Sequence, residues 1–393
     1  MDMGLSEEQR LLIDTIRSFV RKELQPLERG IEETGRLDDS IAASIREKSQ
    51  ALGLYAVNIP TEYGGGGLSV VNWMIAEEQF GRTSDVIIRR AFGNVYEILL
   101  EGTEKQIENY LLPAVRGERT FSIAFTEPGA GSDAAAITSR AIPSKHGWTL
   151  NGSKHFISDG AYSDFFVVTA VTDPLSGTHG ISTFIVEKGM PGFTVGRDQP
   201  MMGLKGTSHV EMRFDSVQLD HEHLLGAEGQ GLKLALSTLG RVRLAQVAAR
   251  AVGKATLVMD MCLEYVRQRQ QFNASLGDFQ LIQKMLADSA IEINACRISL
   301  WQIASRIDAG DEMRAGISML KIQASEMLDR VVDRAVQIFG GAGYCTDLPI
   351  ERYYRDARIS RIYDGTSEIH RVVIAKELIK GNNSLYDSHG KLP

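Results

Sequence analysis

The segment Phe125-Thr126-Glu127-Pro128-Gly129-Ala130-Gly131-Ser132-Asp133 gathers hydroxyls, two carboxylates and small residues directly after a β-rich run. Small residues let a backbone approach a ligand closely, although Pro-Gly equally makes an ordinary surface turn, so this loop alone assigns no chemistry. Four further segments carry residues of the same kinds. They are Asn151 to Ser158 (NGSKHFIS); Tyr265, Arg269, Gln271 and Phe272, followed by Gln280; Gln337 to Tyr344 (QIFGGAGY); and Arg355 to Arg358, running into Ile362 to Ile369 (IYDGTSEI). The last segment places a carboxylate, Asp364, between an aromatic residue and a glycine. His155 and His370 are formal acid–base candidates. A histidine beside a loop or on a helix face is more often structural, and neither is assigned a role.

The elements that must hold these segments follow from periodicity. Ser6 to Gln9 form a capping-box pattern, and Leu11, Leu12, Ile16, Phe19, Val20 and Leu24 continue at helical spacing up to Pro26. Helical stretches recur at 40–54, 69–82 and 103–115. From Phe121 the texture changes to short β-rich runs at 121–125, 148–151, 165–172, 180–187 and 209–214. The helical period then returns through 232–272, 281–308, 313–339 and 366–379, and the tail beyond Lys380 is expected to fray. The expected architecture is α+β in three parts: a helical domain over 1–118, a small β domain over 119–228 and a helical bundle over 229–393. A Rossmann nucleotide fold would instead alternate strand and helix and carry GxGxxG on a strand-to-helix turn, which this chain lacks.

Composition narrows the function further. A chain of 393 residues, 43% of them hydrophobic, supplies more than one lobe with a core. Its net charge of −7 offers no basic field for nucleic acid or an anionic membrane, and no apolar run is long enough to span a bilayer. Cys262, Cys296 and Cys345 are far apart, with no CxxC pair, so neither a disulfide framework nor a zinc site is expected. With no signal-like N-terminus, the expected location is the cytoplasm, or the mitochondrial matrix for a mature form.

Taken in order, the five segments resemble the acyl-CoA dehydrogenase family, and the resemblance covers almost the whole chain. It implies a helical domain, a β-barrel-like domain and a C-terminal four-helix domain holding FAD. By this resemblance Ile123, Phe125, Thr126, Gly131 and Ser132 line the flavin ring or the thioester, and Phe156 and Ser158 shield and hydrogen-bond the ring. Arg269, Phe272 and Gln280 match residues that reach the FAD of a neighbouring subunit. Gln337, Gly340 and Gly341 match the approach to the pyrophosphate, where a side chain would block close contact. The expected assembly is therefore a homotetramer, a dimer of dimers. Thr366 and Glu368 match cofactor contacts, although Thr366 serves equally as a helix N-cap. Arg241, Tyr363 and Gly365 match substrate positions, Arg241 being associated with CoA. The implied partners are an acyl-CoA substrate and an electron-transferring flavoprotein.

The departure from the family pattern lies at the base. Most relatives carry glutamate where this chain has Asp364, and some carry it where this chain has Gly240, which has no side chain to act. Asp364 thus inherits proton abstraction, with hydride passing to flavin N5. Aspartate is one methylene shorter, and a displacement of about 1 Å can cost on the order of 100-fold in rate. Either the backbone moves closer, or the proton removed lies elsewhere, as in an alicyclic or unsaturated acyl group, or the change is simply tolerated. Arg89 and Arg90 add a second departure. The corresponding helix lines the acyl pocket, and an arginine there suits a carboxylate or other polar tail; neighbours on a helix point about 100° apart, so only one can face the ligand. Two rivals remain: a nitroalkane-oxidase-like flavoprotein, favoured by the aspartate, and a non-catalytic FAD or acyl-CoA scaffold.

Overall fold

The computed structural model describes residues 4–382, so the expected fraying at Asn383 and Ser384 lies outside the described residues. The first helix, Glu7–Phe19, is closed by a reciprocal cap between Ser6 and Gln9. Pro26 does not end the helical path. It occupies the first turn of a short 3₁₀ segment, Gln25–Leu27, where the missing N–H is not needed, and the chain continues into Glu28–Thr34. Helices Asp39–Ala51, Val70–Phe80 and Asp85–Phe92 follow.

Val70–Phe80 is buried continuously from Trp73 to Phe80 because it is covered on both sides. One hydrophobic core runs from Ile16 and Phe19 through Met74 and Phe80 to Val252, Leu300 and Met327, so the first and last helical parts share an interior. The crossing is close: a Cβ at Gly253 would lie 1.7 Å from the Glu78 carbonyl oxygen. This contact fixes Glu77 against the helix that carries Arg250.

Between the helical parts lies a mixed sheet of β1 (Phe121–Ala124), β2 (Arg140–Ser144), β3 (Gly147–Ser158), β4 (Phe165–Val171), β5 (Ile181–Glu187), β6 (Phe193–Asp198), β7 (His209–Asp220) and β8 (Leu224–Leu225). The order is β6-β7-β3-β2-β4-β5-β8, with β1 added parallel to β4. β4 and β5 are buried on both faces, and Phe121, Phe165 and Ile185 pack onto Ile98, Leu99 and Leu111 of the preceding helical part.

Arg250–Gln268 continues without a break from Gly231–Val242 through a π-helical stretch, Arg243–Ala249. Helices Gln280–Asp308, Arg314–Phe339 and Ser367–Ile379 complete this part, joined by the short Ile350–Ala357 helix. Such wide turns re-aim side chains and recur at functional sites. Here the wide turn begins at Arg243.

Candidate active site

Asp364 sits on the loop before Ser367–Ile379 with φ +55, a left-handed backbone that aspartate tolerates better than most residues. Three side chains clamp this loop by its carbonyl oxygens. Arg243 Nε donates to the Asp364 oxygen at 2.6 Å, His370 Nε2 lies 3.1 Å from the same oxygen, and Lys321 Nζ donates to the Gly365 oxygen at 2.6 Å. A carbonyl only accepts, so His370 carries its proton on Nε2, leaving Nδ1 to accept from Ser318 Oγ at 3.0 Å. Burial, aided by the Arg243 charge, pushes His370 down to about 4, so at neutral pH it is a fixed donor and not an acid–base group.

Desolvation raises the Asp364 carboxyl above its ordinary range, while Arg243 and Lys321 pull it back towards ionisation. A carboxylate so placed is a stronger base than one exposed to water. Tyr363 beside it and Tyr96, which lies within its field, are held as neutral phenols by burial, Tyr96 being pushed up to about 12.

The two glycine- and hydroxyl-rich segments of the sheet are tied together. His155 N donates to the Thr126 oxygen at 2.8 Å, and Lys154 Nζ reaches the Phe125 oxygen at 3.1 Å and Glu127 Oε1 at 2.9 Å. Glu127 also accepts from Thr138 N at 2.6 Å and Ser139 N at 3.1 Å, closing the loop on itself. Ile123, Phe125 and Thr126 are half-buried along this edge, and Gly131 and Ser132 are exposed at its turn. At the end of β3 a register shift between Lys154 and Ile157 forms a bulge. Phe156 lies within it at φ +58, is 56% exposed, and stacks on His155 with ring centroids 3.9 Å apart. An aromatic residue at this exposure in a left-handed backbone is not core packing; it presents a flat face outward. Ser158 accepts from Ser122 Oγ at 2.6 Å through its carbonyl, and its side chain has no hydrogen-bond partner among the described residues.

A second group assembles on another face. Phe272 and Asn273, at φ +52 and +60, form the two-residue turn of the hairpin Gln270–Gln271/Ala274–Ser275, the geometry that suits twisted strands. Phe272 is 90% exposed at its tip. Tyr265, one turn before Arg269, stacks on Phe339 at 4.1 Å, which brings the hairpin beside Gln337, Gly340 and Gly341. Gly340 needs φ +60, but Gly341 does not, and a Cβ at Gly341 would meet nothing within 4 Å. Glycine at 341 therefore answers to no backbone or packing demand among the described residues. Gln280 opens the Gln280–Asp308 helix nearby and is exposed. No hydrogen bond or ring contact joins this group to Phe156 or Thr126 among the described residues, so within one protomer the two groups of candidate residues are not directly linked.

The structure places the remaining sequence candidates as follows. Thr366 caps the last helix by accepting from Ile369 N at 3.2 Å, with Glu368 exposed in the first turn. Arg243, not Arg241, meets the Asp364 loop; Arg241 is half-buried at the end of the preceding helix, within the field of Glu97. Of the arginine pair, Arg90 pairs with Asp39 at 2.8 Å and covers the Tyr162 ring, while Arg89 turns inward. Arg89 already holds Asp85 at 2.5 Å and Asp159 at 3.0 Å.

The three segments of the chain match the acyl-CoA dehydrogenase N-terminal domain over residues 6–118, the middle domain over 122–217 and the C-terminal domain over 229–379. The chain belongs to the acyl-CoA dehydrogenase family. Among curated members it is 38% identical to acryloyl-CoA reductase (NADH) of Anaerotignum propionicum, over 97% of this chain and 96% of that protein. Butyryl-CoA dehydrogenase of Megasphaera elsdenii superposes with a TM-score of 0.89 at 35% identity, covering 96% of this chain and all of that one. A chain from a structure of the electron-transferring flavoprotein of Acidaminococcus fermentans, concerned with flavin-based electron bifurcation, gives the same TM-score and identity over 97% of this chain. Family membership makes this an FAD-dependent enzyme acting on acyl-CoA thioesters. No helix among the described residues is long and apolar enough to cross a membrane.

Proposed function

We propose that Asp364 is the base of an acyl-CoA dehydrogenase that takes a proton from the carbon next to the thioester. The observation that carries this reading is the clamped loop: a carboxylate raised by burial, with its backbone held by Arg243 and His370. The clamp sets the carboxylate's position from the main chain, which offsets the shorter side chain without a longer reach. FAD, when bound, supplies the hydride acceptor, with electrons leaving to an electron-transferring flavoprotein.

The exposed face of Phe156 and the half-buried Thr126 suit the flavin ring. Arg269, Phe272, Gln280, Gln337, Gly340 and Gly341 suit the phosphates and adenosine end of a cofactor held mainly by a second copy of the chain. That division of labour makes the dimer the smallest functional unit, and a dimer of dimers follows from pairing the remaining exposed faces, such as Leu281 and Ile291 on one helix. Location in the cytoplasm or in a matrix compartment suits such an acceptor.

The experiment is anaerobic. Mixing the yellow holoprotein with short straight-chain, branched and alicyclic acyl-CoAs is expected to bleach the flavin band, and adding electron-transferring flavoprotein is expected to restore it. If no thioester bleached the flavin while a nitroalkane did so with peroxide formation in air, the oxidase reading would replace this one.

A further inference from the structure

A small cavity beside Tyr96 is lined largely by polar side chains, among them Glu77, Glu97 and Gln246. Trp73 Nε1 donates to Glu77 at 3.1 Å, Arg250 bridges Glu77 at 2.7 Å and Asp85 at 3.3 Å, and Arg89 joins Asp85 to Asp159. Asn94 continues from Asp159 at 3.3 Å, and Gln246 Nε2 donates to Asn94 Oδ1 at 2.8 Å. The chain of contacts is buried or half-buried throughout and ends one turn from Arg243, the residue that clamps the Asp364 loop.

Two properties of this network select against particular substrates. Glu77, Asp85 and Asp159 are ion-paired to Arg89 and Arg250, so neither guanidinium is free. A terminal carboxylate on the acyl group would find both guanidiniums already paired, which weighs against a dicarboxylic substrate at Arg89. A long alkyl chain fares no better, because it would desolvate polar groups without satisfying them. Gln246 spends its N–H on Asn94 and keeps its carbonyl oxygen without a partner among the described residues. The Tyr96 phenol likewise has no hydrogen bond there, lies within the fields of Arg89, Asp159 and Asp364, and lines a small cavity together with Gln246 and Glu77.

We propose that the preferred acyl group is compact and bears a hydroxyl, as in a hydroxylated alicyclic or short-chain acyl-CoA, and that Tyr96 and Gln246 read that hydroxyl. This rests on the acyl-CoA dehydrogenase reading and adds the substrate class to it. The hydroxyl donates to the Gln246 oxygen and accepts from the Tyr96 phenol, while the ring or short chain lies towards Tyr363.

The test compares 3-hydroxycyclohexanecarboxyl-CoA, cyclohexanecarboxyl-CoA, glutaryl-CoA and octanoyl-CoA in anaerobic flavin reduction by the holoenzyme. The hydroxylated ring is expected to exceed the plain ring in kcat/KM by about 10-fold or more, with the other two below both. Tyr96→Phe and, separately, Gln246→Met are each expected to shrink that ratio several-fold. Equilibrium binding of the two ring thioesters to Asp364→Asn holoprotein is expected to show the same order without turnover. Equal or better use of the plain ring, or preference for glutaryl-CoA or octanoyl-CoA, would overturn the substrate class while leaving the enzyme reading intact. Silence with every thioester would remove both.

Discussion

Asp364→Asn is expected to fold, keep its FAD and bind thioester, yet reduce flavin about 10²- to 10⁴-fold more slowly than the parent chain. Asparagine fills the same space and accepts the same left-handed backbone at φ +55, so the Arg243 and His370 clamp on the carbonyl survives. Only the basic oxygen is lost. In the parent chain the rate of flavin reduction should climb as pH rises through the carboxyl's raised pKa, because only the ionised form takes a proton, and it should level off above. The acid limb should lie above the ordinary aspartate range, since burial outweighs the pull of Arg243 and Lys321. Asp364→Glu should not simply restore family behaviour. The extra methylene pushes the carboxylate about 1 Å past the place the clamp sets, and glutamate gains less than aspartate from the left-handed backbone.

Glu127→Ala is expected to lower unfolding free energy by about 3–5 kcal/mol, because it strands the Lys154 ammonium in the sheet interior. Chemical denaturation followed by fluorescence measures this directly. The Glu127→Leu, Lys154→Met double variant should recover part of the loss, since removing both charges avoids an unpaired one. Burial works against both charges. At Glu127 the Lys154 ammonium and the loop N–H groups win and hold the carboxyl down to about 2, whereas Lys154 falls to about 8 because burial prevails. Both are charged at pH 7. A carboxyl depressed on folding stabilises above its unfolded value, near 4.5, and that contribution drains away as pH falls towards about 2. The single variant should therefore lose pH dependence across that window.

Much of the architecture was written in periodicity. Helices with one apolar face and strands buried on both faces, such as β4 and β5, announced themselves. β2 and β6 did not, because most of their residues are exposed and at most two apolar positions alternate. Nor did the helical path through Pro26, where a 3₁₀ turn uses the proline's missing N–H. The site was legible as five segments but not as a geometry. Arg241 and Arg243 are two apart on a helix, so only one can face a given loop, and which one faces it depends on the wide π-helical turn that begins at Arg243. Spacing carries no signal for that turn. Lys321 and His370 come from elements on either side of the Asp364 loop and meet it only after folding. For the inward arginine, the i,i+4 pair with Asp85 on its own helix is legible in spacing, but its second partner, Asp159, lies on another element 70 residues away.

The most direct test of the base separates proton removal from hydride transfer. 3,3-Dimethylbutyryl-CoA has hydrogens next to the thioester but none on the following carbon, so it can lose a proton and cannot give up hydride. Incubated with the oxidised holoenzyme in deuterium oxide and followed by mass spectrometry, it is expected to exchange its α-hydrogens, with the rate falling at least about 100-fold in Asp364→Asn. Undiminished exchange in that variant would contradict the assignment and place the base elsewhere in the cleft.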